Sequence, residues 1–300
     1  MTSSLIDTLN IHSAKSVGDS LVAHSEHKEN IFTELLHHVK DSHVIDYPFG
    51  HFQLPQFPPI HIFGLQIDLS ITKHVFFLWL AAILVFTLTV YAARKNSKSK
   101  VPKGVGNLVE VFIQFVRDEI VIPNMGKDGI RYLSYLLTTF FFILIMNLIG
   151  LIPYGSTATS NVSVTAGLAI IAFSMIQVAA IKKHGVGSYL AHLTGGVHWM
   201  LWPIMIPIEI LGLFTKPFAL CIRLFANMTG GHIVILSLIG LIFVFKTVWI
   251  APIPIAFTIG INLLELFVAF LQAYIFTMLT SLFMGLGMQD SNHSSQESHH

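Results

Sequence analysis

The sequence predicts an all-α integral membrane protein with five membrane-crossing helices, the last two long, inclined and antiparallel, plus one interfacial amphipathic helix. Hydrophobic residues make up 53% of the 300 residues and charged residues 11%, against roughly 25% charged residues in soluble domains. The mean hydropathy is +0.69. Between positions 132 and 289 the charged residues are Lys182, Lys183, Glu209, Lys216, Arg223, Lys246 and Glu265. Uncharged runs therefore fill most of the chain.

Residues 1–74 are predicted to form an extramembrane extension before the first apolar run. This region holds nine of the sixteen histidines and the proline-rich stretch "YPFGHFQLPQFPPIH", and its first forty residues show a weak helical pattern. The histidines have no convincing ligand spacing, so we expect a soluble His-rich extension and no metal site. The start, "MTSSLIDTLN", lacks the basic and apolar parts of a cleaved signal peptide.

Three uncharged runs follow, at residues 75–93, 132–152 and 162–181. Each has the length of helix that crosses the ~30 Å hydrocarbon core of a bilayer. The loop after the first run, "RKNSKSKVPK", is strongly basic, the loop after the second is uncharged, and the third is followed by Lys182 and Lys183. Because basic loops face the cytoplasm, we expect the N-terminal extension outside and the C-terminus, after five crossings, in the cytoplasm.

The cytoplasmic loop at 94–131 contains the stretch "VGNLVEVFIQFVRDEIVIP", which predicts an amphipathic helix. Its apolar residues recur at helical spacing: Leu108, Val109, Phe112, Phe115, Val116 and Ile120. The other side carries Glu110, Gln114, Arg117 and Asp118. Such a helix suits the membrane interface; a short soluble helix packed on a partner is the alternative.

The last third of the chain holds two apolar runs that are too long for one perpendicular crossing each. Residues 202–245 would form a helix of about 66 Å and residues 254–286 one of about 50 Å. Only "KTVWIAP" lies between them. Two long, tilted, antiparallel helices are therefore expected within 202–286. A polar tail at 287–300 follows them, and its stretch "DSNHSSQESHH" is expected to be disordered.

Arg223 lies deep in the first of these two runs, with six uncharged residues before it and twenty-two after it. An ionised group at that depth costs from ~3 to more than ~10 kcal/mol unless a partner or water meets it, and arginine keeps its proton. Ionisable groups at such depth usually line ion pathways. Glu209, Lys216 and Asn227 share its helical face, because seven residues turn a helix by about 700°. For Asn227, hydrogen bonding from helix to helix is an equal alternative.

The second run carries a matching polar stripe. Thr258, Glu265 and Gln272 repeat every seven residues, and Asn262 precedes Glu265 by three. Glu265 is ionisable and is therefore also predicted to line an ion path. For Thr258 and Asn262, simple helix-to-helix hydrogen bonding is an equal alternative.

A proton relay is predicted on the outer side of Arg223. If Arg223 and Gln272 face each other at one level, His232 and Glu265 both lie outward of them, by about 13 and about 10 Å. Histidine and carboxylate groups at similar depth can exchange protons, and Glu209 lies toward the cytoplasm. Nine residues turn a helix by about 900°, which puts His232 opposite Arg223. Either "TGGH" distorts the helix or the outer path follows another side; a structural role for His232 is the alternative.

The stretches "KPFALCIRLFANMTGGH" and "LELFVAFLQAYIFTMLT" together closely resemble subunit a of the rotary F-type ATP synthase, its membrane stator. "NLIGLIPY" and "TATSNVSVTAGLAI" match the same family, and the resemblance covers roughly residues 60–287. It implies a subunit that is not catalytic alone and has no cofactor. The implied partners are the c-ring, b-type peripheral stalk subunits and membrane lipid. A bacterial inner membrane is the expected location, with a mitochondrial one as the alternative, and the near-zero net charge suggests no nucleic-acid partner.

The resemblance also implies what the polar residues do. Arg223 would face the carboxylates of the rotating c-ring, which two offset half-channels reach from opposite sides of the membrane. Protons would enter one half-channel, travel with the ring and leave by the other, so that rotation drives ATP synthesis in a separate head. The implied outer-path residues are Asn227, His232, Glu265 and Gln272, and the implied cytoplasmic-path residue is Glu209. In many bacterial members the histidine and glutamate of the relay stand in exchanged places; the order here resembles that of mitochondrial relatives.

A secondary ion-coupled transporter is the main alternative from another class. Such proteins usually contain internal repeats, and none is found between residues 75–181 and 202–286. A self-contained ion channel would need selectivity built within its own chain or homo-oligomer. No nucleophile–base pair or metal-ligand set suggests an intramembrane enzyme. Co-purification with a ring of small hairpin subunits would distinguish the stator from a transporter.

Overall fold

The computed structural model describes residues 44–47, 50–53, 60–62, 65–67, 72–98, 104–152, 158–193, 202–245, 249 and 251–288. The strands are described by their backbone alone, as are several helix-end residues and Glu209. The described residues belong to two compact units, one with residues 230–263 and the other with the rest. The helical pattern expected in the first forty residues and the expected disorder of the tail from 290 onward lie outside the described residues.

Helices form most of the described chain. The α-helices are α1 Lys73–Lys98, α2 Val105–Phe115, α3 Ile122–Met125, α4 Leu133–Gly150, α5 Val162–Leu193, α6 Trp202–Phe245 and α7 Pro252–Met288. A π-helix, Val116–Val121, joins α2 to α3, and 3-10 turns occur at Gly126–Tyr132 and Ala158–Ser160. Among the described residues, five helical stretches are long and apolar enough to cross a membrane. The predicted fold class, an all-α multi-pass membrane protein, is confirmed.

Two short antiparallel hairpins precede α1, and the sequence analysis did not predict them. The first pairs β1 Val44–Tyr47 with β2 Gly50–Gln53, and the second pairs β3 Ile60–Ile62 with β4 Leu65–Ile67. The segment also contains four prolines in its sequence, residues that cannot donate to a ladder and weaken the signal for strands. The strands themselves are only three or four residues long, too short for the usual alternating pattern to be evident.

Aromatic packing holds α2, α4 and α7 together. The ring of Phe112 lies 5.8 Å from that of Phe140 and 5.9 Å from that of Phe270. Phe115 lies 6.2 Å from Phe270 and 5.7 Å from Tyr274. Aromatic pairs at these separations add to the stabilisation that burial alone provides. The helix predicted at the interface is therefore fixed against two membrane helices.

The predicted apolar face of α2 and the π-helix is buried at Val109, Val116 and Ile120, which are at most 2% exposed. Leu108 differs, because its side chain is 55% exposed. It precedes Val109 by one residue and so points about 100° away around the helix. Leu108 is thus not part of the face that packs inside the chain, and its exposure does not test the expectation that the apolar residues face the membrane interface.

Pro123 explains the π-helix that precedes α3. Proline has no backbone N–H and its ring displaces the carbonyl four residues earlier, so the turn widens. The carbonyl of Ile120 accepts hydrogen bonds from Asn124 Nδ2 at 2.8 Å and from Ser281 Oγ at 3.3 Å. The backbone of α7 also comes close here, since a Cβ on Gly285 would lie 2.1 Å from the Asn124 carbonyl oxygen. The widened turn is thus a docking point for the end of α7.

Candidate functional site

Two side-chain contacts align α6 and α7 in antiparallel register. Asn227 Nδ2 on α6 donates a 2.8 Å hydrogen bond to Gln272 Oε1 on α7. Toward the start of α6, Lys216 Nζ lies 5.1 Å from the centre of the Phe283 ring. Eleven residues separate the two contacts on each helix, so the register is constant between them. We call this line of four residues the α6–α7 seam.

The expectation that Arg223 and Gln272 face each other at one level is wrong by one helical turn. Asn227, four residues after Arg223, is the residue that contacts Gln272. Gln272 is 1% exposed, and a buried amide is satisfied at lower cost by another neutral amide than by an ionised group. Arg223 therefore lies about 6 Å along α6 from the level of Gln272.

Arg223 is exposed at the edge of this seam. The buried side of α6 is formed by Leu220, Leu224 and Met228, each at most 2% exposed. In the part of the chain that the structure describes, the Arg223 guanidinium makes no hydrogen bond and no ion pair. Its charge is thus available to a group from outside this chain.

On its other side, α6 packs against α5. Thr165 Oγ1 and Cys221 Sγ lie 3.5 Å apart, and the rings of Phe173 and Phe214 stack at 6.3 Å. Cys221 is buried and precedes Arg223 by two residues. Contacts with α5 and α7 together fix the rotation of this part of α6, and with it the direction of Arg223.

The polar residues predicted on α7 have different surroundings. Glu265 is 4% exposed and shares the helical face of Gln272, seven residues later. Thr258 and Asn262 belong to the unit of residues 230–263. Neither side chain has a hydrogen bond to another described residue. The helix-to-helix bonding considered for three residues is therefore observed for Asn227 but not for these two.

Two further predicted residues lie on α6. His232 is half-buried, and the residues from Thr229 to His232 are helical, so a break in the helix at "TGGH" does not account for its position. Glu209 belongs to α6 by its backbone, whereas its side chain is outside the described residues.

A buried polar bridge on α4 was missed by the sequence analysis. Asn147 is fully buried; its Nδ2 donates to the carbonyl of Ala269 at 3.4 Å, and its Oδ1 accepts from Thr159 Oγ1 at 2.9 Å. Ala269 lies on α7 between Glu265 and Gln272. The sequence feature that could have indicated this bridge is the amide of Asn147 inside the apolar run "ILIMNLIG". The bridge holds the segment of α7 that carries two of the predicted site residues.

Comparison with known proteins decides the family. The ATP synthase A chain family matches residues 75–285. The chain belongs to the ATP synthase A chain family. It is similar to ATP synthase subunit a of Chloroherpeton thalassium, with 50% identity over 271 residues that cover 89% of this chain and 80% of the relative. It is also similar to ATP synthase subunit a of Pelodictyon phaeoclathratiforme, with 48% identity over 290 residues covering 95% and 84% of the two chains. A third similar protein is ATP synthase subunit a of Anaeromyxobacter dehalogenans, with 51% identity over 276 residues that cover 87% of this chain and 72% of the relative.

Membership of the ATP synthase A chain family confirms the resemblance found in the sequence. The chain is a multi-pass membrane subunit that assembles into an ATP synthase and is not catalytic on its own. In this family member, α6 and α7 bring together Lys216, Asn227, Gln272 and Phe283, with Arg223 exposed beside them.

Proposed function

We propose that this chain is the proton-translocating stator subunit of the Fo sector, and that Arg223 faces the carboxylates of a rotating c-ring. The observation that carries the proposal is the exposure of Arg223 on an apolar helix without a partner among the described residues. An unmatched arginine costs at least ~3 kcal/mol in a bilayer. Carboxylates of the c-ring that pass Arg223 during rotation would offset this free-energy cost.

The surface around Arg223 supports contact with another membrane helix. Ala219 and Ala226 are exposed and lie within about 60° of Arg223 around α6. Phe218 and Ile222, farther around, are 66% and 41% exposed. Small side chains let helix backbones approach closely in a membrane, so a rotor helix would bring its carboxylate within reach of the guanidinium.

We assign the proton paths to the two sides of Arg223. The outer half-channel consists of Asn227, His232, Glu265 and Gln272, and the cytoplasmic half-channel contains Glu209. Lys216, Thr258 and Asn262 are supporting polar groups. Opposite charge favours the ionised carboxylate, so the rotor acid loses its proton when it meets Arg223. Because arginine stays charged, it also interrupts a direct proton wire between the half-channels.

The c-ring is the direct partner in this proposal, with b-type peripheral stalk subunits as further partners. We place the chain in a bacterial inner membrane, with the N-terminus outside and the C-terminus in the cytoplasm. The basic residues that follow the first and third crossings support this orientation, and the relatives come from bacteria.

The test is Arg223→Ala in the intact enzyme, with Arg94→Ala, an exposed arginine near the end of α1, as the control. We expect Arg223→Ala to abolish proton-driven ATP synthesis while the amount of assembled complex stays normal. Normal synthesis in that variant would refute the role of Arg223. ATP-driven pH change in vesicles, measured with and without sodium, identifies the coupling ion, which the carboxylate site of the ring determines.

A further inference from the structure

Lys216 is a second cation on the α6–α7 seam, and the proposed function gives it only the general role of a supporting polar group. It precedes Arg223 by seven residues and so lies on the same face, about 10 Å away. The side chain is half-buried, and its ammonium lies 5.1 Å from the Phe283 ring centre. Within the described residues it forms neither a hydrogen bond nor an ion pair.

The contact with Phe283 holds this charge in place. An ammonium group is attracted to the face of an aromatic ring, and Phe283 itself packs against the hydrophobic core. An unrestrained lysine usually extends along an apolar surface toward water. Lys216 instead reaches across to α7, so its positive charge has a defined position beside the rotor-facing side of α6.

The charges around Lys216 leave it uncompensated on the α7 side. From Leu266 to Met288, Tyr274 is the one ionisable residue of α7. The remaining ionisable groups of α6 near the seam are Glu209, Cys221 and Arg223. Those of the packed helix α5 are Lys182, Lys183, His184, Tyr189 and His192. Lys183 already pairs with Asp128 at 2.7 Å.

We infer that Lys216 is an electrostatic positioning residue for proton exchange on the cytoplasmic side of Arg223. It favours the ionised form of a rotor carboxylate there, and so lowers the pH at which that carboxylate takes up a proton. The inference rests on the proposed function. A unit charge about 10 Å away shifts a protonation midpoint by about 0.3 pH unit in water and about 1 pH unit in a protein-like dielectric.

The experiment measures ATP-driven proton pumping by inverted vesicles that contain the whole ATP synthase, as a function of the pH on the cytoplasmic side. Removing the cation in Lys216→Met lets the carboxylate hold its proton at higher pH. We expect the alkaline midpoint of pumping to rise by about 0.5 pH unit. Lys216→Arg should keep the wild-type midpoint, and Phe283→Leu should give a smaller rise.

Thr215→Ala is the matched control, because Thr215 is exposed and its hydroxyl bonds only to the Leu211 carbonyl of its own helix. Rates are divided by the amount of assembled complex. A purely structural role would lower the rate at every pH and leave the midpoint unchanged, and that result overturns the inference. If Lys216→Met does not assemble, Lys216→Gln replaces it and is judged by the same midpoint.

Arg223→Ala is measured in parallel and separates the two proposals. Loss of pumping in Arg223→Ala together with an unchanged midpoint in the Lys216 variants overturns the inference alone. Normal pumping in Arg223→Ala overturns the proposed function, and the inference with it.

Discussion

The Asn227 side chain donates a 2.8 Å hydrogen bond to Gln272 across the two long helices. This bond sets the register of α6 against α7 one helical turn beyond Arg223. It also fixes the orientation of the Gln272 amide, whose Nε2 group has no hydrogen bond to another described residue. In the proposed function, a proton path that reaches Arg223 from the outer side would pass this pair of amides.

We predict that Asn227 and Gln272 act as one unit. Asn227→Ala and Gln272→Ala should each slow proton-driven ATP synthesis roughly five- to tenfold, the effect of losing about 1 kcal/mol. The double variant should be little slower than either single one, because both substitutions remove the same bond. Synthesis rates per assembled complex test this prediction. Multiplied effects in the double variant would show that the two amides act independently.

Glu265→Gln should slow proton entry at least about tenfold, and more than Glu209→Gln does. The Glu265 side chain is 4% exposed and lies on the Gln272 face of α7. Glutamine preserves its size but cannot release a proton, so a relay through this position is lost. Passive proton flux through the membrane sector in vesicles measures the effect. Equal and negligible changes in the two variants would count against both half-channel assignments.

The sequence predicted the membrane helices and the polar stripes because both depend on local periodicity. A repeat of seven places Lys216 and Arg223 on one face whatever surrounds the helix. Periodicity carries no information about how far one helix is shifted along another. For this reason the pairing of Asn227 with Gln272, and of Lys216 with Phe283, emerged only from the structure.

The features that local sequence patterns did not predict also depend on tertiary contacts. The side chain of Asn147 finds partners 12 and 122 residues away in the chain, Thr159 and Ala269. No pattern on α4 alone indicates those partners. The same applies to the π-helix before Pro123, where Ser281 of α7 supplies a hydrogen bond from 161 residues away.

The Asn147 bridge should be important for the stability of the α4–α7 contact. Asn147→Ala leaves the buried hydroxyl of Thr159 without its acceptor, which costs about 1–3 kcal/mol. We expect less assembled complex and a lower temperature of inactivation. Adding Thr159→Val should restore part of the loss, because both buried polar groups are then removed. Thr138→Val is the control, since its exposed hydroxyl bonds only within its own helix. A double variant that is no more stable than Asn147→Ala would contradict this account.

Gly285→Ala should prevent α7 from docking on the widened turn. A Cβ at Gly285 would lie 2.1 Å from the carbonyl oxygen and 3.0 Å from the carbonyl carbon of Asn124. Backbone atoms cannot rotate away as a flexible side chain does, so the end of α7 must shift, at a cost of about 3 kcal/mol or more. Gly167→Ala is the control, because nothing lies within 4 Å of a Cβ at that position. Alanine there favours the helix by up to about 1 kcal/mol.

The displacement should also reach the α6–α7 seam, because Phe283 precedes Gly285 by two residues. Gly285→Ala is therefore expected to lower the amount of assembled complex. In whatever complex remains, it should raise the alkaline midpoint of proton pumping as Phe283→Leu does. Immunoblots of the subunit in purified complex measure the first effect, and pumping by inverted vesicles measures the second. Normal assembly with an unchanged midpoint would mean that α7 does not approach Asn124 this closely in the assembled enzyme.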